Sequence, residues 1–280
     1  MTTIPFVTLN NGVRMPQLGL GVWQVSGPDV VGAIHAALNA GYRLIDTAAA
    51  YGNEESVGEA IRTSGKQREE IFVTTKLWNS DQGYDNTLRA FEASLKRLGL
   101  NYVDLYLIHW PVPKLDKYVE TWEALEDIYA SGRAKAIGVS NFNIEHLDNL
   151  LLRAKVVPAV NQVELHPRLQ QRELREYCTD KQIQIESWSP IGGNGDKLGV
   201  LNDDTIVDIA DKHHKTPAQI ILRWHIQNGL VAIPKSVHAD RIRENAAIFD
   251  FELDNDDIAK ISALNVSERR GPDPVTMDFR

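Results

Sequence analysis

The stretch IFVTTKLWNSDQGYDNTLRAFEASLKRLGLNYVDLYLIH, residues 71–109, contains one complete strand–helix–strand unit. Its two ends, Ile71–Lys76 and Val103–His109, are short runs rich in β-branched and aliphatic residues. Between them, Leu88–Leu98 repeats apolar side chains at the spacing of a helix with one buried face. Continuous apolar strands are typical of a parallel sheet that is covered on both faces. The stretch therefore predicts a βαβ unit with a parallel pair of strands.

The same unit recurs along most of the chain. Eight short apolar runs alternate with helical patterns, and they are Leu18–Val22, Leu44–Asp46, Ile71–Lys76, Val103–His109, Ala136–Val139, Ala159–Val163, Ile183–Trp188 and Val231–Pro234. Strand and helix repeated eight times predict an α/β fold of the closed (β/α)8 TIM-barrel type. An open doubly wound sheet is the alternative, and it is disfavoured because no glycine-rich first turn is present.

Two kinds of segment stand outside this repeat. Residues 6–16 read as an N-terminal hairpin, because Asn10-Asn11-Gly12 separates two short strands. Asn202–His214 and Asp254–Leu264 read as two extra helices. The segment Asn265–Arg280, with two prolines and mixed charges, reads as an irregular surface tail. Since no linker composition appears, residues 1–280 are expected to form a single domain.

Bulk composition narrows the class of protein. The 280 residues carry a formal net charge of −8, so the chain lacks the basic field expected of a nucleic-acid-binding protein. The single Cys178 rules out an intrachain disulfide and reads as an inert helix thiol. The sequence shows neither a signal-peptide pattern nor an apolar run of about 20 residues that could span a bilayer. We therefore expect a cytoplasmic protein without membrane partners, and a monomer.

Polar residues end several of the predicted strands at regular intervals. Asp46, Lys76, His109 and Ser140-Asn141 follow one another at 30, 33 and 31 residues, close to one strand–helix unit each. Residues one unit apart lie at equivalent heights on neighbouring strands. We therefore expect these groups to surround the C-terminal mouth of the barrel, where barrel enzymes keep their active sites.

Tyr51 lies five residues after Asp46, at the start of the next loop, and can reach the same mouth. An ammonium group such as that of Lys76 is expected to lower the pKa of a tyrosine, ordinarily about 10, toward neutral pH. Asp46 would balance the buried charge of Lys76. His109 could donate a hydrogen bond to a substrate oxygen. The set predicts a proton donor for a carbonyl that is being reduced.

The sequence resembles the aldo-keto reductase family in six blocks that occur in order. They are Leu44–Glu55, Thr75–Trp78, Leu105–Pro111, Ile137–Phe142, Asn161–Pro167 and Ile233–Ser236. This resemblance implies a (β/α)8 barrel, NAD(P)H bound without a Rossmann domain, and a catalytic tetrad of Asp46, Tyr51, Lys76 and His109. The stretches 185–190 and 215–219 also resemble those of the bacterial 2,5-diketo-gluconate reductases.

The resemblance also assigns residues to the nicotinamide end of the cofactor. Ser140, Asn141 and Gln162 would hydrogen-bond the carboxamide, and Trp188, next to Ser189, would stack on the ring. After the eighth strand comes a second group of candidate cofactor-binding residues, Lys235, Ser236, Val237, Arg241, Glu244 and Asn245. Two cations and a hydroxyl near a helix N-terminus suit a 2′-phosphate, so NADPH is favoured over NADH.

Aromatic residues after the strands predict the substrate pocket. Its candidates are Trp23, Trp78, Asn79 and Trp110, together with Tyr51, His109 and Trp188. The loops at about 111–118 and 192–200 are short, which favours an open site for small polar carbonyl compounds.

The predicted activity is NADPH-dependent reduction of small aldehydes, ketones, dicarbonyls or keto-sugar acids to alcohols. A cofactor-binding barrel with a regulatory or structural role is the alternative, and the intact tetrad argues against it. A metal-dependent barrel hydrolase is disfavoured because Gly19–Trp23 contains no H-x-H pair, and we expect no metal.

Overall fold

The structure is a computed structural model that describes residues 4–193 and 198–279. The chain begins with an antiparallel hairpin of β1 (Phe6–Thr8) and β2 (Arg14–Pro16). Its turn passes through Gly12 at φ 85°, a left-handed conformation that glycine adopts without strain. The predicted N-terminal hairpin is therefore confirmed.

Eight parallel strands follow in the order of the chain. They are β3 (Gly19–Gly21), β4 (Leu44–Asp46), β5 (Phe72–Leu77), β6 (Val103–Ile108), β7 (Ala134–Ser140), β8 (Val160–Glu164), β9 (Gln184–Trp188) and β10 (Val231–Ala232). Each strand pairs with its neighbours in sequence, and parallel bridges from Leu18 to Ala232 and from Gly21 to Lys235 join the first strand to the last. The predicted (β/α)8 barrel is confirmed.

Helices cover the outside of the barrel. They are α1 (Pro28–Asn39), α2 (Glu54–Thr63), α3 (Tyr84–Leu98), α4 (Tyr118–Ala130), α5 (Ile144–Leu151), α6 (Arg172–Asp180), α7 (Asp204–His213), α8 (Pro217–Gln227), α9 (Ala239–Ala246) and α10 (Asn255–Ala263). Helices α7 and α10 are the two extra helices that the sequence predicted. No helix in the described ranges is long and apolar enough to cross a bilayer.

Local sequence signals explain where helices begin and end. Helix α8 begins with a capping box, in which the Thr216 side chain accepts from the Gln219 N–H and the Gln219 side chain accepts from the Thr216 N–H. Helix α1 ends at Asn39 and is capped by Ala40, and Gly41 then adopts φ 101° and lets the chain turn back into β4. These ends set the point at which each strand enters the barrel.

The lower half of the barrel interior, meaning the half nearer the N-terminal ends of the strands, is apolar. Side chains from the strands, with Leu9 and Met15 of the hairpin region beneath them, form one buried cluster: Leu9, Met15, Leu44, Phe72, Leu105, Leu107, Ala136, Ala159, Val160, Val231 and Ile233. The hairpin therefore closes the N-terminal end of the barrel. A larger cluster lies between the strands and the surrounding helices.

Two of the segments predicted from the sequence include residues that the structure does not describe. Residues 194–197 of the predicted short loop 192–200, and the last residue of the predicted tail, are not among the described residues. The loop between β6 and α4, residues 109–117, is short as expected.

Candidate active site

The carboxyl ends of the strands surround one cavity of about 780 Å³. The parallel register places Asp46 beside Thr74 on β5, two residues before Lys76, and Ser140 beside Gln162 on β8. Because alternate residues of a strand point to the same face, the side chains of Asp46 and Lys76 both reach the barrel interior. The regular spacing of strand ends in the sequence is therefore matched by a common position in space.

Lys76 is the centre of the polar cluster. Its side chain is completely buried, and its Nζ donates to Asp46 Oδ1 at 2.6 Å, to the Thr47 carbonyl at 3.0 Å and to Tyr51 Oη at 3.5 Å. These three bonds use all three ammonium hydrogens. Since the Tyr51 oxygen accepts from Lys76, its own hydrogen stays available for donation into the cavity.

The pKa of Tyr51 differs from the sequence expectation. Burial raises it above 10, and the nearby charge of Lys76 only partly offsets that rise. The expected net lowering of this pKa was therefore wrong, because the loss of hydration outweighs the ammonium group. Burial also disfavours the charged form of Lys76, but Asp46 and Tyr51 more than compensate, so the pKa of Lys76 is raised. At neutral pH both groups hold their protons.

His109 is a neutral donor at the side of the cavity. Burial, with a smaller effect of the Lys76 charge, holds the pKa of His109 well below its usual range. Its Nδ1 is buried and has no hydrogen-bond partner within the described residues, so Nε2 is the ring nitrogen that can reach a ligand. The ring meets Tyr51 and Trp78 edge-on, at centroid distances of 5.7 and 5.3 Å.

Asn141 joins two walls of the cavity. Its Nδ2 donates to the His109 carbonyl at 3.0 Å, and its Oδ1 accepts from the Trp188 indole N–H at 2.9 Å. Ser140 Oγ donates to the Gln162 carbonyl at 2.8 Å. The structure therefore shows Asn141 holding the Trp188 ring in place, a contact that sequence spacing did not predict.

Most of the predicted ligand-binding residues share this cavity. Its wall includes the tetrad members Asp46, Tyr51 and His109, and also Trp23, Trp78, Trp110, Ser140, Asn141, Gln162, Trp188, Ser189 and Lys235. Lys76 lies behind Asp46 and Tyr51. The Gln162 amide, the Trp188 ring and the Lys235 ammonium thus offer hydrogen-bonding, stacking and charged groups along one cavity, which fits a nicotinamide dinucleotide.

Asn79 does not line the cavity, and its assignment to the substrate pocket was wrong. Its side chain is fully buried, and its Nδ2 donates to the carbonyl of Phe279 at 2.7 Å. Asn79 begins a one-turn helix, Asn79–Asp81, and its side chain contacts the C-terminal tail at Met277 and Phe279. Asn79 fastens the tail instead of contacting a ligand.

The tail is irregular and mostly exposed, as the sequence predicted, and part of it also forms the wall of the cavity. Buried Glu164 accepts from the backbone N–H groups of Arg270 at 2.7 Å and Gly271 at 2.8 Å. This carboxylate draws the tail over the mouth, where Gly271 lies against Trp188. A Cβ at position 271 would come within 2.5 Å of the indole ring. Tail residues on the cavity wall are Arg270, Gly271, Pro272, Met277 and Phe279.

The predicted phosphate-binding residues are arranged around α9. Of this group only Lys235 lines the cavity, and Ser236, Val237, Arg241, Glu244 and Asn245 lie off its wall, with the Arg241 side chain exposed. Ser236 Oγ accepts from the His238 N–H at 3.1 Å, and Glu244 accepts from Thr216 Oγ1 at 2.8 Å. These two side chains fix the loop and the helix that carry the two cations.

Sequence reasoning also missed Glu186 on β9. Its carboxyl is fully buried, and its Oε2 accepts from Gln162 Nε2 at 2.7 Å. Both β8 and β9 are interrupted by an acidic residue: Glu164 is the last residue of β8 and Glu186 lies in the middle of β9. That interruption was the available signal, because a carboxylate inside a barrel strand requires a partner.

One group of acidic side chains in the described ranges could hold a metal ion by geometry alone. Asp254, Asp256 and Asp257 start α10, and none of them lines the cavity. Lys212 pairs with Asp254 and Asp257, and His213 pairs with Asp257. The cluster is therefore a set of ion pairs between α7 and α10.

Comparison with known proteins connects this site to a family. Residues 16–266 match the model of the Aldo/keto reductase family. The chain is 55% identical over 274 residues to a glyoxal reductase of Bacillus subtilis, covering 98% of this chain and 97% of that protein. It is 50% identical to the methylglyoxal reductase DkgA of Salmonella typhimurium, over 98% of each chain.

The fold comparison gives the same result. A crystal structure of a Gox0644 mutant in complex with NADPH superimposes with a TM-score of 0.93 and 47% identity, over 99% of this chain and 100% of the other. That structure agrees with the cofactor predicted from the residues after the last strand. The chain therefore belongs to the aldo/keto reductase family, as an NADP-dependent oxidoreductase that reduces carbonyl groups.

Proposed function

We propose that this protein reduces small dicarbonyl compounds, with Tyr51 as the general acid. The main support for the proposal is the set of hydrogen bonds that Lys76 makes. Its ammonium group donates all three hydrogens, to Asp46, Thr47 and Tyr51. The Tyr51 hydroxyl is then oriented with its hydrogen toward the cavity. Similarity to proteins named glyoxal and methylglyoxal reductases supports the substrate class.

The residues divide the chemistry among themselves. When bound, NADPH supplies the hydride that reduces the carbonyl carbon. Tyr51 and the Nε2–H of neutral His109 both donate to the carbonyl oxygen and thereby orient it. As the oxygen gains negative charge, Tyr51 transfers its proton to it, and Lys76 stabilises the resulting phenolate. Asp46 keeps the buried Lys76 charged throughout.

The proposed cofactor contacts follow the cavity wall. Gln162 and Ser140 would bind the carboxamide, Trp188 would stack on the nicotinamide ring, and Ser189 lies next to it. Lys235 and Arg241 would bind the 2′-phosphate, on a loop and helix that Ser236 and Glu244 fix.

The shape of the remaining cavity suits a small substrate. Trp23, Trp78 and Trp110 present flat aromatic surfaces beside Tyr51 and His109. Rigid aromatic side chains lose little conformational entropy on binding. A dicarbonyl would place one oxygen between Tyr51 and His109 and leave the other near these rings.

The proposal is tested by the change Tyr51→Phe. The removal of the acid should reduce kcat by about 10²- to 10⁴-fold, while fluorescence titration should find NADPH affinity close to wild type. Oxidation of NADPH would be followed by absorbance with glyoxal, methylglyoxal, a simple aldehyde and a keto-sugar acid. Tyr84→Phe, at a partly exposed tyrosine that donates to Asp127 outside the cavity, is the matched control and should keep full activity.

The outcomes separate the candidate functions. A Tyr51→Phe variant that turns over at the wild-type rate would remove Tyr51 from the mechanism. NADPH binding without oxidation of any of the four carbonyls would favour the cofactor-binding barrel with a regulatory or structural role.

We further propose that residues 1–280 form one domain that acts as a monomer in the cytoplasm. One buried cluster has members from Ile4 to Ile261, which supports a single domain. Light scattering after size-exclusion chromatography tests the monomer, cell fractionation tests the location, and a single cooperative unfolding transition tests the single domain.

A further inference from the structure

The barrel interior contains a carboxyl group that lies outside the catalytic tetrad. Glu186, in the middle of β9, is completely buried. Its Oε2 accepts from Gln162, but its Oε1 has no hydrogen-bond partner in residues 4–193 and 198–279. A buried carboxyl with an unpaired oxygen reduces stability. Its contacts with the proposed site suggest why the sequence has it.

Glu186 and Asp46 hold the Gln162 amide between them. Gln162 Nε2 donates to Glu186 Oε2 at 2.7 Å and to Asp46 Oδ2 at 2.8 Å. Carboxyl oxygens accept these bonds, so the amide nitrogen must face them and both of its hydrogens are used. One such bond would let the amide pivot, whereas two bonds fix its plane. The amide oxygen is then the polar group left for a ligand.

We propose that Glu186 is a positioning residue, which fixes the Gln162 amide for the nicotinamide carboxamide and sets the charge balance around Tyr51. This inference rests on the roles proposed above for Gln162 and Tyr51. It adds an ionisable side chain to the four of the tetrad, on a strand that contributes none of them.

The charge balance depends on the groups that face Glu186. These are Asp46 at the end of β4, Tyr51 in the loop after β4, and Lys76 on β5. His109, directly after β6, lies beyond Lys76. Burial, and then the charge of Asp46, raise the pKa of Glu186 to about 8, although the Gln162 bond and Lys76 oppose this. At neutral pH Lys76 therefore faces one ionised carboxylate, and in alkaline solution it faces two.

Ionised Glu186 affects the proton donor. Its negative charge raises the pKa of both Tyr51 and Lys76. As the pH rises past the pKa of Glu186, Tyr51 becomes harder to deprotonate, so it remains an acid further into the alkaline range.

Two variants separate the two parts of the proposal. Glu186→Gln keeps the shape and an accepting oxygen but cannot ionise. We expect this variant to bind NADPH like the wild type. As the pH is raised above neutral, its kcat/KM should begin to fall at a lower pH than that of the wild type. Glu186→Leu removes the acceptor as well, so its Kd for NADPH should rise about three- to tenfold, the loss of one hydrogen bond. Glu54→Gln is the control, a buried glutamate bound to Thr75 and Arg97 that should change neither quantity.

Each result decides one part. If kcat/KM of Glu186→Gln falls at the same alkaline pH as that of the wild type, the charge role is wrong. If the Kd of Glu186→Leu for NADPH is unchanged, the positioning role is wrong. The NADPH binding titration of the Glu186 variants does not depend on turnover. It therefore tests this inference separately from the role of Tyr51, which is tested by the kinetics of Tyr51→Phe.

Thermal unfolding adds a readout with a definite sign. Below the ordinary pKa of a glutamate, both folded and unfolded chains hold the Glu186 proton, and the group does not affect stability. Above it the unfolded chain ionises first, so the folded state is increasingly penalised until the pH reaches about 8. Glu186→Gln should therefore raise Tm more in weakly alkaline than in acidic buffer. An equal gain in both would contradict a buried, protonated carboxyl.

Discussion

The two halves of the barrel interior are built from the same strands, but the lower half is a packed apolar core and the upper half contains the polar groups of the site. On β4 the inward side chains are Leu44 and then Asp46, and on β8 they are Val160 and then Gln162. The lower residues join an apolar cluster that the hairpin closes with Met15. The upper ones form a connected set of charged and amide groups. The alternation of residues along a strand thus serves packing at one end and chemistry at the other.

The strongest test of this difference replaces the buried ion pair. In the double variant Asp46→Asn/Lys76→Met, kcat/KM should fall by about 10²- to 10⁴-fold, because Tyr51 loses the ammonium that stabilises its phenolate. Stability should stay level or rise, by up to about 4 kcal/mol, since two charges no longer have to be buried. Urea unfolding and steady-state kinetics measure both. A large loss of stability would mean that the pair holds the barrel together.

The converse experiment truncates the apolar half. Leu105→Ala removes a fully buried side chain from the lower cluster and should cost about 2–5 kcal/mol of unfolding free energy. The folded fraction should keep its kcat/KM, because no contact of the tetrad is touched. The exposed Leu152, truncated to Ala, is the control and should change stability by no more than about 0.5 kcal/mol. Loss of activity in folded Leu105→Ala would show that the two halves are coupled.

The smallest expected effect lies at the outer edge of the mouth. Lys235→Ala or Arg241→Ala should weaken NADPH binding about tenfold through loss of a charge-assisted hydrogen bond, and should leave NADH binding nearly unchanged. Arg243→Ala, on the same helix but paired with Asp240, provides the comparison. Fluorescence titration with both cofactors measures the effect. Equal losses for NADPH and NADH would exclude a phosphate contact.

The fold could be predicted because its pattern is local and repeated. Eight apolar runs with helical segments between them, and signals such as Thr216-Pro217 and Gly41, predicted the order of elements. The expected strand Val231–Pro234 is shorter in the structure, where β10 covers Val231–Ala232. Residues 233 and 234 still bond to neighbouring strands through single backbone groups. Strand ends shift in this way because tertiary contacts decide them.

The repeat predicted the centre of the site, and the family resemblance predicted much of the surrounding wall. Asp46, Lys76 and His109 follow from one spacing, and the structure brings them together with Tyr51. Asn79 could not be placed, because a single helical turn decides which way its side chain points. Glu164 acts on the backbone of residues more than a hundred positions later, a contact that no local pattern records. The rise in the Tyr51 pKa reflects the depth of burial, which spacing does not give.

The fastening of the tail has a practical consequence for anyone who prepares this enzyme. Met277 and Phe279 stand beside the reacting groups, and Asn79 and Glu164 hold their segment in place. A reporter group attached to the side chain of residue 277 or 279 would therefore lie at the substrate entrance, whereas one attached in the hairpin would lie at the closed end of the barrel. Kinetic constants measured with the first kind of label would describe the label as well as the enzyme.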